Sequence, residues 1–217
     1  ELRTPLTAIR MSAETLRMGR CKDHEKTTAY LDAIVNESHR LTRLLNNVLD
    51  FSRIEKGKRV YRQEPTSLPA ILETAVQAMQ YPLAQQNFHL TVSVEENLPL
   101  ILVDREALEQ AILNLLSNAM KYSGDSKDLA LRAFREKGHA VIEVTDHGVG
   151  ITAQEQKRIF ERFYRVSDRE NARIPGAGLG LALVAHIVEA HNGRVGVGSV
   201  AAPGSTASIH LPLENTV

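Results

Sequence analysis

The sequence predicts an α+β fold in which an α-helical hairpin precedes a sheet with helices on one face. Three observations predict it. Residues 1–57 carry only helical apolar periodicity. A charged, glycine-containing stretch, Glu55-Lys56-Gly57-Lys58-Arg59, then reads as a hinge. Beyond it, short strand-like segments that mostly neighbour one another mix with a few longer helical ones, the pattern of a sheet covered by helices.

In the first helix, Leu2, Leu6, Ile9, Ala13 and Leu16 form a seam spaced by four and three residues. Pro5 removes a backbone donor, so a bend is expected there. Met18 to Asp23 is polar and contains Gly19, which marks a turn. The second helix bears a broad stripe of Leu31, Ile34, Val35, Leu41, Leu44, Leu45, Val48 and Phe51. Two helices cannot bury such stripes alone. A homodimer making a four-helix bundle is the usual solution, and an intramolecular bundle is the alternative.

Val60 to Glu64 is a short strand candidate, followed by a helix from Ser67, a fitting N-cap, to about Gln86. Phe88, Leu90, Val92 and Val94 alternate with polar residues as in a half-buried strand. Asp104 caps a long helix through Tyr122, with Leu108, Ala111, Ile112, Leu115, Leu116 and Ala119 inward. Leu129–Arg135 and Ala140–Thr145 read as paired strands joined by Glu136 to His139. Leu179 to His191 is a helix stopped by Asn192-Gly193. Arg194–Val200 and Thr206–Leu213 are the last strands.

The 217 residues suit one large domain or two small ones, and 43% hydrophobic content supports a packed core. Lys plus Arg and Asp plus Glu number 26 each, so no overall basic surface favours nucleic acid. Cys21 is the only cysteine, which excludes an intrachain disulfide and fits a reducing compartment. No apolar run is long enough to cross a bilayer and no signal peptide opens the chain, so a membrane anchor is expected only outside this segment.

Three blocks carry the chemistry. The first is Asn114-Leu115-Leu116-Ser117-Asn118-Ala119-Met120-Lys121-Tyr122-Ser123. Asn114 and Asn118 share a helix face, and Lys121 follows one turn on. Two amide oxygens can serve as hard ligands for Mg²⁺, and Lys121 can face a phosphate; an ordinary polar helix face is the plainer reading. The second block is Asp146-His147-Gly148-Val149-Gly150-Ile151. A carboxylate at a strand end can accept a hydrogen bond from the adenine amine, with Gly148 and Gly150 allowing the backbone near the base. An ordinary Asp-x-Gly turn is the alternative. His147 reads as a pocket-edge residue, since no other metal ligand lies at suitable spacing. The third block is Gly176-Ala177-Gly178-Leu179-Gly180-Leu181, which leads into a helix whose free N–H groups suit phosphate. It is neither a P-loop nor a dinucleotide fingerprint, lacking a following Lys-Ser or Lys-Thr and a third spaced glycine.

These blocks, in this order, resemble the ATP-binding domain of sensor histidine kinases, within the superfamily of gyrase, chaperone, histidine-kinase and mismatch-repair ATPases. Glu1-Leu2-Arg3-Thr4-Pro5-Leu6-Thr7 resembles the family's phosphoacceptor box, whose histidine would stand immediately before Glu1. The chain is therefore expected to be a truncated piece. The resemblance implies a dimerisation and phosphoacceptor hairpin over 1–57 and a catalytic α/β sandwich with a mixed sheet over 58–217. It further implies binding of ATP with Mg²⁺ at Asn114 and Asn118, and adenine contact by Asp146. Contacts are also expected from Lys121, Tyr122, Gly148, Gly150, Ile151, Gly176, Gly178, Leu179, Gly180 and Leu181.

Ile159 to Arg165 is similar to the family's phenylalanine box, with Arg165 a candidate phosphate contact and Phe163 expected in the core. Val166 to Pro175 is similar to the ATP lid. Gly204-Ser205-Thr206 matches a weaker last motif in which Thr206 lines the phosphate side.

Asn114 stands where ATP-hydrolysing relatives carry a glutamate base, so slow hydrolysis and transfer to a better-placed acceptor are implied. Glu1 is expected to orient or deprotonate the acceptor imidazole, and Thr4 matches a water-orienting position for phosphatase activity. A response-regulator receiver domain is the implied partner, and the segment the cytoplasmic part of a membrane-anchored protein. The rivals are an ATP-binding scaffold or phosphatase without kinase activity, and an ATPase of the other superfamily branches. His24, His39, His186 and His191 offer no substitute acceptor; the last two read as surface or packing residues.

Overall fold

The computed structural model describes residues 3–19, 23–55, 59–165, 178–198 and 204–213. Glu1, Leu2, Gly176 and the lid-like stretch Val166 to Pro175 lie outside them. So do the side chains of Leu44, Val48 and Phe51. The chain divides into two compact units, residues 1–59 with 175–179 and residues 60–174 with 180–217.

The first unit is built on α1 (Arg3–Arg17) packed against α2 (His24–Glu55). Pro5 is the third residue of the described helix. The helix runs through it as one element, Arg3–Arg17. Gly19, left-handed at φ 60°, ends α1 by returning its N–H to the Leu16 carbonyl. Asp23 opens α2, its carboxylate accepting from the Glu25 N–H at 3.1 Å. Within this unit Leu6, Leu31, Val35, Leu45 and Leu49 stay exposed. The apolar stripe read from the sequence is thus incompletely covered by the hairpin itself. Among the described residues, no helix is long and apolar enough to cross a membrane.

The second unit opens with β1 (Glu64–Thr66), paired antiparallel to β3 (Ile101–Val103). The strand expected at 60–64 therefore starts at Glu64, and residues 60–63 precede it without regular structure. α3 (Leu68–Gln85) follows; Ser67 holds the N-cap position with extended backbone, but its hydroxyl makes no capping bond. The other strands are β2 (His89–Val94), β4 (Asp128–Glu136), β5 (His139–Asp146), β6 (Arg194–Gly198) and β7 (Ser205–Pro212). They form one sheet in the order β2-β4-β5-β7-β6. Only the β2–β4 pair is parallel, so the sheet is mixed. Lys137 and Gly138, both at positive φ, make the two-residue turn between β4 and β5 that matches strand twist.

α4 (Arg105–Tyr122) is capped by Asp104, whose Oδ1 accepts from the Ala107 N–H at 3.0 Å. α3, α4 and α6 (Gly180–Ala190) pack side by side and rest on the sheet. Leu131, Ile142 and Ile209 meet Ile71, Ile112, Leu116, Val184 and Ile187 in the core, all fully buried. Each such side chain contributes about 1.5–3 kcal/mol of transfer free energy. The expected one-face α/β sandwich is thus the architecture of this unit. Its sheet places the end of β5 beside the last turns of α4.

Candidate functional site

Asp146 closes β5 and is only 8% exposed. Its Oδ1 accepts the Gly148 N–H at 2.9 Å, and the Ser205 N–H lies near enough to favour the charged form. Burial pushes its pKa up, against those two N–H groups and nearby His147, which pull it down. A carboxylate kept in an apolar wall with lone pairs to spare is equipped to receive a donor from a ligand.

The wall belongs to a concave cavity that opens to solvent. Leu115, Ala119, Val144, Ile151 and Ile159 make it apolar. Asn118, Tyr122, Asp146, Arg165 and Ser205 supply polar groups. An apolar cavity with a buried carboxylate acceptor fits a purine ring; Asn118 and Tyr122 on α4 and Arg165 on a loop are polar groups that fit what the ring carries.

The local folding explains the placement. A Cβ on Gly148 would fall 1.8 Å from the Tyr122 carbonyl oxygen. Glycine is needed there because the turn after β5 packs directly on the end of α4. A backbone–backbone reason for glycine thus stands beside the one expected from sequence, close approach to a base. Gly150 takes φ 75°, where glycine is favoured, and it does line the cavity.

The first and third blocks meet. Asn114 Nδ2 donates to the Gln110 carbonyl at 3.0 Å. A Cβ on Gly180 would lie 3.3 Å from Asn114 Oδ1 and 3.9 Å from Asn118 Nδ2. The start of α6 therefore sits over both amides, and glycine keeps that approach open. Amide oxygens are neutral, hard donors. They fit a Mg²⁺ whose remaining ligands are phosphate oxygens and water.

Of the residues expected in the site, Asn118, Tyr122, Asp146, Gly150, Ile151, Arg165 and Leu181 share the cavity wall. Asn114 and Gly180 lie beside it, and Lys121 is exposed on α4 outside it. Gly178, left-handed at φ 67°, and Leu179 immediately precede α6. Thr4 is exposed on α1. Glu1 and Gly176 lie outside the described residues.

Two expectations are corrected. Thr206 does not face the cavity: it pairs with Thr145 across β5–β7, their hydroxyls 2.8 Å apart, on the opposite side of the sheet from Asp146. Strand alternation puts Ser205 and Ala207 on the cavity side instead. Phe163 is not in the core; it is 66% exposed at φ 59°. Ile159 takes the buried position in that segment.

Ser205 is the polar wall residue that sequence reading missed. Exchange of Thr206 for valine is expected to cost about 1 kcal/mol of stability through its lost hydroxyl pair. Nucleotide affinity should not change. Thermal unfolding and calorimetric titration check this; a several-fold weaker affinity would return Thr206 to the site.

Residues 103–215 match the family described as "Histidine kinase-, DNA gyrase B-, and HSP90-like ATPase". Residues 1–57 match the "His Kinase A (phospho-acceptor) domain". The chain belongs to the sensor histidine kinase family. Among its relatives is the circadian input-output histidine kinase CikA of Synechococcus elongatus, 33% identical over 100% of this chain and 29% of that protein. The sensor-like histidine kinase SenX3 of Mycolicibacterium smegmatis is 32% identical over 98% of this chain and 55% of that protein. The crystal structure of full-length ShkA in complex with AMPPNP shares 26% identity and a TM-score of 0.68, covering 96% of this chain and 46% of that one. The chain thus spans about a third to a half of the length of these relatives.

Proposed function

We propose that this chain is the kinase segment of a two-component sensor, with residues 58–217 binding Mg·ATP and residues 1–57 presenting the phosphoacceptor. The observation that carries the reading is the buried Asp146 carboxylate facing the same cavity as Asn118, with the start of α6 seated over Asn114 and Asn118.

In this reading Asp146 accepts from the adenine amine, while the apolar wall around Ile151 and Ile159 holds the ring. Asn114 and Asn118 hold Mg²⁺, which when bound neutralises phosphate charge. Lys121 and Arg165 contact phosphates from the rim. Gly148 and Gly150 shape the turn that carries Asp146. Gly178, Leu179, Gly180 and Leu181 lead into the start of α6 nearest the phosphates, where helix N–H groups favour anions, and Gly176 is assigned to the same contacts from its sequence motif. Ser205 replaces Thr206 in the assignment.

The γ-phosphoryl group leaves the β-phosphate oxygen and bonds to an imidazole nitrogen of a histidine immediately before Glu1. Glu1 takes the imidazole proton. The phosphoryl group then passes to an aspartate of a response-regulator receiver domain. With asparagine at 114, the residue lacks a base to activate water, so the bound nucleotide waits for its acceptor. The exposed leucines and Val35 of the hairpin support a homodimer through residues 1–57 that buries them in a four-helix bundle. Exposed Thr4, one turn beyond the acceptor position, supports phosphatase activity toward the phosphorylated regulator as a second function. A membrane anchor, where the sensor has one, belongs to sequence beyond this segment.

Titration calorimetry with Mg·ATP and Mg·GTP tests the reading. ATP is expected to bind, with GTP at least about tenfold weaker, because a carboxylate repels the purine oxygen that replaces the amine. Acceptor-free hydrolysis is expected to stay slow. Equal binding of the two nucleotides, or none, rejects it.

A further inference from the structure

His191, at the end of α6, is 3% exposed, and both of its ring nitrogens are engaged. Nε2 lies 2.9 Å from the Asp104 N–H and Nδ1 lies 2.6 Å from the Ile187 carbonyl. A backbone N–H can only donate, so Nε2 is the acceptor and Nδ1 carries the proton. The ring is thereby fixed in one neutral tautomer.

Its partner Asp104 is equally committed. Oδ1 accepts from Ala107, Oδ2 accepts the Arg62 N–H at 2.9 Å, and the backbone N–H goes to His191. The segment before β1 packs against the pair. Tyr61 sets its ring edge-on to His191 with centroids 5.2 Å apart, and Gln63 Nε2 donates to the Ala190 carbonyl at 2.9 Å.

The two helices joined here are those that carry the first and third blocks. α6 runs antiparallel along α4, touching it at both ends: Gly180 over Asn114 and Asn118, and His191 at Asp104. From Asp104 to Asn114, and from Gly180 to His191, each helix advances by about 15 Å. Between those ends the two helices pack together, and Leu108, Ala111, Val184 and Ile187 on them are fully buried. Apolar packing resists separation but is not directional. A hydrogen bond of fixed length at one end sets how far α6 slides along α4.

We infer that His191 is a positioning residue for the nucleotide site. It sets the axial register of α6 against α4, and thereby the spacing of Gly180 from Asn114 and Asn118, where Mg²⁺ and phosphate meet the protein. The inference rests on the nucleotide reading above.

The test compares wild type, His191→Leu and His191→Gln. ATP affinity is measured with Mg²⁺ and with excess chelator, alongside thermal unfolding. In His191→Leu the Mg²⁺-dependent gain in affinity is expected to fall about fivefold, while binding without metal stays near wild type. His191→Gln, which can still offer an oxygen to the Asp104 N–H, recovers most of the gain. A lower melting temperature with the gain intact would make His191 a mere packing residue and overturn the inference.

Should His191→Leu fail to fold, nitrogen NMR of the wild-type ring decides, together with the Mg²⁺ dependence of His191→Gln. A proton on Nδ1 only, with the gain kept in His191→Gln, supports the role. A proton on Nε2, or a gain lost despite the restored acceptor, ends it. If wild type binds no nucleotide under any condition, the functional reading itself fails first.

Discussion

Asp146→Asn is expected to weaken ATP binding by about 100-fold and to abolish ATP-dependent phosphorylation. The Gly148 N–H donates to one carboxylate oxygen, and the other is left for the adenine amine. An amide has one acceptor oxygen where the carboxylate has two. Whichever way it turns, its NH₂ meets a backbone N–H or the adenine amine. Calorimetry and phosphoryl labelling check the loss; affinity within threefold of wild type would remove Asp146 from the site.

The same residue has a pH signature. Burial raises its pKa in the folded protein above that in the unfolded chain. Between those two values the folded state holds a proton that the unfolded state has released. Nucleotide-free protein therefore gains stability as pH falls through the raised pKa toward about 4, where the unfolded carboxyl titrates too. Asp146→Asn lacks this contribution. The melting temperature of wild type relative to the variant should accordingly rise on acidification; a constant difference would show that burial does not penalise the charge.

Gly148→Ala is the second large effect. The added methyl would sit 1.8 Å from the Tyr122 carbonyl oxygen, which is backbone at the end of a helix and cannot swing aside. The turn after β5 or the last turn of α4 must move, and both carry cavity residues. A loss of about 3 kcal/mol or more is expected, with nucleotide binding lost as well. Gly198→Ala, whose Cβ would meet open space, serves as the control and should cost far less. Equal melting temperatures for the two variants would show that the contact at Gly148 is relaxed in solution.

Much of this fold was legible from local chemistry. Asp104 before a helical apolar period located α4 within a residue, because the cap and the period agree. β3 escaped notice because three residues, Ile101–Val103, are too few to display alternation. α5 (Ala153–Gln156) escaped too, although Thr152-Ala153-Gln154-Glu155 spells the capping box that the structure forms.

Placement on one helix or at one strand end was readable: Asn114 and Asn118 share a face by helical periodicity, and Asp146 ends a strand. Thr206 was misplaced because the face of a strand residue is fixed by pairing with a distant strand. A shift of one position exchanges cavity for the far side. His191 read as packing because its partner, Asp104, is far away in sequence and the bond runs to a backbone N–H that sequence does not display.

The most direct test supplies the missing step. The chain is extended upstream by its natural residues and incubated with Mg·ATP labelled on the γ-phosphate, beside the same protein carrying Asp146→Asn. Acid-labile, base-stable label on the first protein and none on the variant is the predicted result. Absence of label from the first protein while nucleotide is bound, or label that survives acid, would mean that this site does not phosphorylate a histidine.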